Sequence, residues 1–185
     1  SVPRVKPAMD INPDEFDNGI PDEMFEKIIA LIRISVPYTG MIISTRESQT
    51  VREHALQYGI SQISGGSRTS VGGYVDDVRP HDTEQFDVSD QRTLDEVISW
   101  LLDNKHIPSF CTACYRAGRT GDRFMSFCKN GEILNFCHPN ALITLAEYLT
   151  DYASDETRAK GMNIIEQELT KVQNPKTKKL AEEYI

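Results

Sequence analysis

Apolar residues fall at helical spacing from Asp22 onward. Phe25, Ile28, Ile29 and Ile32, with Arg33 after them, occupy i, i+3, i+4, i+7 and i+8. Asp22 and Glu23 supply the acidic first turn that suits the positive end of the helix dipole, and Pro37 ends the helix. Gly40-Met-Ile-Ile-Ser-Thr45 is then a short apolar run bounded by glycine and polar residues, the pattern of a buried strand. The unit repeats. Ser48 to Tyr58 is helical with Val51, Ala55 and Leu56 on one face and Gly59 at the C-cap, and Ile60-Ser-Gln-Ile-Ser64 reads as a second strand. Helix, strand, helix, strand at this spacing predicts an α/β fold with a parallel sheet.

The loops after the two strands are polar: Ser44-Thr45-Arg46, and Ser64-Gly-Gly-Ser-Arg-Thr69. In βα architectures ligand sites form at the carboxyl ends of strands, and two serine–arginine loops there exceed what turn chemistry requires. Residues 70–90 are acidic and aperiodic, as in a surface loop. Thr93 to Leu102 gives a further amphipathic helix. After Pro108 a short basic loop from Cys111 to Cys137 is expected, with Cys137 at a loop-to-helix junction. Helices over Ala141–Tyr152 and Thr157–Val172 follow, then a Lys-rich, frayed tail from Asn174. Up to and including Pro21, four prolines and no periodicity predict an extended loop, an opening more natural to the interior of a larger protein than to a domain start.

Composition narrows the setting. With 185 residues, 28 acidic and 20 basic, the net charge is −8, which argues against a broad nucleic-acid footprint. No apolar run reaches the ~18 residues of a membrane span, and no signal-type apolar stretch follows the first residues. A cytoplasmic setting follows, and there the four cysteines are better ligands or nucleophiles than disulfides.

Cys111-Thr-Ala-Cys114 is a C-x2-C pair, with Cys128 and Cys137 downstream. Two thiolates three positions apart can chelate one ion, or ligate adjacent irons of a cluster. Between Cys111 and Cys137, Arg116, Arg119, Arg123 and Lys129 outnumber Asp122 and Glu132, a local positive excess that offsets thiolate charge. The residues leave three readings open: structural zinc, held with Cys137 and either Cys128 or His138; an iron–sulfur cluster; or redox-active thiols. Cys128 follows the apolar helical stretch Phe124–Phe127 and reads as a buried spectator. Gly118-Arg-Thr-Gly121 lacks the Gly-Lys-Ser/Thr of a phosphate loop. His54, His81 and His106 read as solvated, and only His138 has metal-site context. Ser44 and Arg46 have a plain alternative, capping the helix that follows.

Three segments carry a resemblance. Val36-Pro-Tyr-Thr-Gly-Met-Ile-Ile-Ser-Thr-Arg-Glu47, then Ser61-Gln-Ile-Ser-Gly-Gly-Ser-Arg-Thr69 with Gly72-Gly-Tyr74, and Cys111-Thr-Ala-Cys-Tyr-Arg-Ala-Gly-Arg-Thr-Gly-Asp-Arg-Phe-Met125 are similar to the HydG family of FeFe-hydrogenase maturases. These are radical S-adenosylmethionine tyrosine lyases. The related thiazole-pathway tyrosine lyase shares the barrel part but lacks the C-terminal cysteines, so C-x2-C-x22-C (Cys111, Cys114, Cys137) favours the maturase family. The resemblance runs from about Val2 to Tyr152 or beyond.

What the resemblance implies is the last βα units of a (β/α)8 TIM barrel over residues 1–108, then a small helical domain over 109–185 that binds an auxiliary 4Fe-4S cluster. The cluster ligands would be Cys111, Cys114 and Cys137, with Arg116, Arg119 and Arg123 around them as cofactor-binding residues. Ser44, Arg46, Ser64, Ser67 and Arg68 would bind substrate at the strand ends. The family cleaves tyrosine to p-cresol and dehydroglycine and makes CO and cyanide for the hydrogenase H-cluster. It uses S-adenosylmethionine and a second 4Fe-4S cluster. Other hydrogenase maturases, the apo-hydrogenase and the N-terminal remainder of the barrel are the implied partners, with no role for nucleic acid or membrane. The radical-SAM signature C-x3-C-x2-C is absent from this sequence, so the chain by itself is expected to be inactive. The alternative function is a zinc- or cluster-holding interaction module without catalysis.

Overall fold

The computed structural model describes residues 4–6, 10–17, 19–70, 72–74 and 87–185, which form two compact units, residues 1–93 and 94–185. The expectation for His81, and much of that for the 70–90 loop, lies outside the described residues.

The first unit is α/β. Helix α1 spans Asp22–Ser35, strand β1 Ile42–Ile43, helix α2 Gln49–Gln57 and strand β2 Gln62–Ile63. The strands pair in parallel, Ile42 with Gln62 and Ile43 with Ile63, as the helix–strand rhythm predicts. The strands are shorter than the apolar runs that suggested them, but the alternation continues beyond the ladder. Met41, Ile43, Thr45 and Glu47 are buried, whereas Ile42, Ser44 and Arg46 are not. The buried set packs Met41 and Ile43 with Phe25 and Ile29 of α1 and Val51 and Ala55 of α2 into one core. Ile42 is left 66% exposed on the opposite face. A strand apolar on both faces, with one face open, is what a larger sheet assembly would cover.

Two devices hold this layout. Ser48 caps α2, its Oγ accepting from Val51 N at 3.3 Å. At the other end Gly59 takes φ +91°, and a Cβ there would lie 2.8 Å from Arg33 Nε. The Arg33 guanidinium donates to Gly59 O, Pro37 O and Thr39 O, tying the end of α1 to the α2–β2 turn.

The second unit is helical. Helix α3 covers Leu94–Asp103, α4 Ala113–Arg116, α5 Gly121–Lys129, α6 Leu134–Asp151, α7 Asp155–Leu169 and α8 Pro175–Tyr184. Leu142, Leu145 and Leu149 of α6 and Ile165 of α7 are inaccessible to solvent. Gly161 permits the close α6–α7 approach, since a Cβ there would meet Leu149 Cδ1 at 2.5 Å. Asp95 fastens α3 to the α6–α7 junction. Its carboxylate accepts from Ser154 Oγ (2.7 Å), Thr157 Oγ1 (3.0 Å) and Tyr148 Oη (3.3 Å). These hydrogen bonds hold the Asp95 carboxyl below its ordinary pKa despite partial burial, while burial and the neighbouring carboxylate push the Tyr148 phenol up to about 12.

Three expectations for this unit are corrected. The stretch from Cys111 to Cys137 is not a loop but contains α4, α5 and the start of α6. Cys137 lies inside α6, its N–H bonded to Ile133 O at 2.8 Å, rather than at a loop-to-helix junction. Pro139 sits buried within α6, where packing offsets the missing N–H. The tail is not frayed. Asn174 Oδ1 accepts from Lys176 N and Thr177 N, Pro175 occupies the first helical position, and Ala181 is buried.

Candidate functional site

The ends of β1 and β2 open on a cavity of about 450 Å³ in the first unit. Ser44, Arg46 and Ser64 line it, together with apolar residues of α1 and β1. Parallel register sets Ser44 and Ser64 side by side, with Ser64 N donating to Ile43 O at 3.1 Å. Ser67 and Arg68 are not among the lining residues. Arg68 has its backbone N–H on Tyr74 Oη at 3.0 Å. Ser48 takes the capping role once open to Ser44 and Arg46, and Ser44 Oγ instead accepts from Arg46 N at 3.2 Å.

Two ion-pair clusters brace these loops. Glu47, buried at the end of the β1 alternation, accepts from Arg4 and from Lys6 (2.8 Å), and Arg4 also bonds Asp22 (2.6 Å) and lies over the Phe25 ring. The paired cations hold the Glu47 carboxyl below its ordinary pKa against the effect of burial. Arg52 of α2 is fully buried. It bonds Asp90 and the carbonyl of Ser64, so it anchors the loop after β2 directly. Arg92 closes on the same carboxylate at 2.6 Å. Sequence reading passed over both clusters. The visible signal was Arg52 beside Val51 on the inward face of α2, since a cation there requires a buried acid. Which acid it would meet could not be read from the order of residues.

In the second unit Cys111, Cys114 and Cys137 line one cavity of about 170 Å³. Arg119, Phe136, Asn140 and Ile143 contribute to its wall, and Thr177 and Leu180 of α8 complete it. The C-terminal helix is thus part of the site. Cys128 is not among the lining residues, and it is partly exposed rather than buried as the apolar stretch before it suggests. Arg119 reaches the cavity and rests over the Phe136 ring at 4.9 Å, while Arg116 and Arg123 are not lining residues. Burial and the nearby Cys114, Cys111 and Cys128 raise the Cys137 thiol pKa, with Arg119 opposing. Among the described residues no three Cys, His, Asp or Glu side chains converge into a metal-binding group, so the thiols share a cavity without meeting at one coordination point. The donor set itself suits a thiophilic centre: three soft sulfurs, one cation and a largely apolar wall. His138, also considered as a ligand, bonds Glu168 at 3.1 Å and is not among the lining residues.

Residues 1–106 match the family model of the Biotin and Thiamin Synthesis associated domain. The chain belongs to this family. It is 33% identical over 101 residues to the 2-iminoacetate synthase of Salmonella typhimurium strain LT2, an alignment covering 55% of the chain and 26% of that protein. Among solved structures it is similar to HydG, a maturase of the FeFe-hydrogenase, with 46% identity and a TM-score of 0.90 over 98% of the chain and 39% of that structure. HydG from Carboxydothermus hydrogenoformans matches over 98% of the chain and 38% of its own length, with 37% identity and a TM-score of 0.71. The chain therefore spans about two-fifths of the HydG structures and about a quarter of the synthase. The domain model ends before Cys111, whereas the HydG matches take in nearly the whole chain.

Proposed function

We propose that this chain is the C-terminal part of a cytoplasmic radical S-adenosylmethionine tyrosine lyase of the HydG kind. In this reading residues 1–108 are the last βα units of a TIM barrel, and 109–185 are a helical domain for an auxiliary 4Fe-4S cluster. The observation that carries it is the common cavity of Cys111, Cys114 and Cys137, within the part of the chain matched by the HydG structures but beyond the domain model. Three thiolates would hold the cluster and leave one iron without a protein sulfur, the open position that chemistry at the centre requires. The auxiliary cluster, when bound, supplies iron on which CO and cyanide are made for the hydrogenase H-cluster. Other hydrogenase maturases and the apo-hydrogenase are the proposed partners, and the exposed β1 face around Ile42 is the side that the rest of the barrel would cover. Arg116, Arg119 and Arg123 would offset anionic charge near the cluster.

Anaerobic reconstitution with iron and sulfide tests this reading. A 4Fe-4S cluster gives about four irons per chain with a broad visible band. One zinc per chain would instead establish the interaction module, and a reversible thiol pair without metal a redox protein.

At the strand ends, Ser44, Arg46, Ser64, Ser67 and Arg68 would form the substrate pocket, with Arg46 as carboxylate clamp. A guanidinium can pair both carboxylate oxygens of tyrosine and stays charged at working pH. In the whole enzyme Arg46→Lys is expected to weaken tyrosine binding about ten- to a hundredfold, ~1.5–3 kcal/mol, before cluster content changes. Titration of tyrosine into the reconstituted variant measures this, and an unchanged dissociation constant removes Arg46 from the site.

The 185 residues contain no C-x3-C-x2-C triad to hold a cluster that splits S-adenosylmethionine. Incubation of this chain with S-adenosylmethionine, tyrosine and dithionite is therefore expected to give no deoxyadenosine above background. Detectable p-cresol would overturn that expectation.

A further inference from the structure

Three shielded side-chain nitrogens without a hydrogen-bond partner occur among the described residues: Arg52 Nε, Arg119 Nε and Asn140 Nδ2. Arg52 belongs to the ion-pair cluster of the first unit. The other two belong to residues that line the cavity of Cys111, Cys114 and Cys137. A buried N–H without an acceptor is costly, and two around one small cavity point to an acceptor that the folded chain does not itself provide.

Both donors are fixed by their surroundings. Asn140 stands three residues after Cys137 on α6, hence on the same helix face. Arg119 is held by its place over the Phe136 ring and by its backbone N–H, which donates to Cys114 O at 2.9 Å. One donor is thus tied to the segment of Cys114 and the other to that of Cys137. The cavity's characteristic atoms are sulfurs, which become strong acceptors when they carry negative charge.

We propose that Arg119 and Asn140 donate N–H···S hydrogen bonds to the sulfur atoms of a cluster held by Cys111, Cys114 and Cys137, and so raise its reduction potential. This rests on the iron–sulfur reading above. The physical basis is that a donor aimed at sulfur favours the more negative, reduced cluster over the oxidised one. Arg119 and Asn140 are positioning and tuning residues here, not ligands. Their loss is expected to change the electron affinity of the centre without changing its iron count.

The test uses the reconstituted 185-residue chain, with iron, sulfide and zinc content read on the unsubstituted protein first. Zinc in place of iron there defeats the cluster reading itself, and this proposal with it, before any variant is made. With about four irons bound, Asn140→Leu keeps a side chain of similar size and removes the donor. Its iron and sulfide content is expected to stay unchanged, while the reduced-to-oxidised ratio at fixed ambient potential falls about tenfold. That corresponds to ~59 mV for a one-electron couple in a dithionite titration followed by electron paramagnetic resonance. Arg119→Lys, which keeps the charge and loses Nε, is expected to shift the same way. Unshifted potentials in both loaded variants overturn the proposal. If Asn140→Leu fails to load, Arg119→Lys carries the measurement. Failure of both to load, with helicity and melting temperature retained, overturns the proposal as well, because tuning residues that are not ligands leave the iron count unchanged. A shift seen only after adding glycine as a carboxylate ligand would assign the donors to a carboxylate at the open iron and overturn the sulfur assignment.

Discussion

Cys137→Ala is expected to bring iron after reconstitution from about four per chain to near background, while Cys128→Ala keeps it nearly unchanged. The two thiols differ in place rather than in kind. Cys137 lies within α6 and lines the cavity with Cys111 and Cys114, whereas Cys128, near the end of α5, does not. Desolvation and the neighbouring thiols raise the Cys137 pKa even though the residue keeps an exposed edge, since a thiolate there faces other sulfurs. A bound cation reverses that balance, so metal binding and thiol ionisation are coupled, and removing one of three sulfurs removes both a bond and a charge. With two thiolates left, a cluster has ligands for only two of its irons. The measurement is iron and sulfide per chain for both variants beside the unsubstituted protein. Equal loss in both would mean that Cys128 is a ligand too, and the three-cysteine assignment would fail.

The cysteines could be singled out from spacing alone because thiol ligation needs a short chelating pair, and C-x2-C provides one in any local fold. The walls around them could not. Asn140 and Thr177 have no distinguishing sequence context, and Thr177 reaches the cavity only because Asn174 and Pro175 start α8 in a tail that composition suggests is loose. The parallel strand pair followed from periodicity, because α1, β1, α2 and β2 each show a full local pattern. The course of the chain through α6 did not, since Pro139 obeys its local preference in most contexts and is overridden here by burial. The same limit applies to charge. Arg46 stands out because two polar loops follow two apolar runs, whereas Arg52 stands on a helix face with Val51 and Ala55, and its partner is 38 residues away. Local pattern names the residues that face a site, and long-range contacts decide what holds them there.

Asp90→Ala is expected to be the most destabilising single change in the first unit, at about 3–5 kcal/mol, because it strands a buried cation. Arg52 has no exposed side-chain surface. Its guanidinium bonds the Asp90 carboxylate and the Ser64 carbonyl, and its Nε has no partner. Removing the carboxylate leaves full positive charge in a site closed to water. Native domains are stable by only ~5–15 kcal/mol, so a loss of this size is a large share of the whole. The double variant Arg52→Met with Asp90→Ala removes the charge together with its partner and is expected to recover part of the loss, which a lost packing contact alone would not allow. The pH dependence carries the same sign. Asp90 lies below its ordinary value of 3.8, mainly through its bonds to Arg92 and the charge of Arg52, against the opposing effect of burial. A carboxyl depressed in the folded state contributes stability above its unfolded pKa, and that contribution is lost as pH falls through the folded one. Urea unfolding of the unsubstituted chain is therefore expected to lose stability below about pH 4 more steeply than Asp90→Ala, the two converging in acid. If the double variant is as unstable as Asp90→Ala, and the gap between the Asp90→Ala variant and the unsubstituted chain is independent of pH, the buried pair is not what secures the loop after β2.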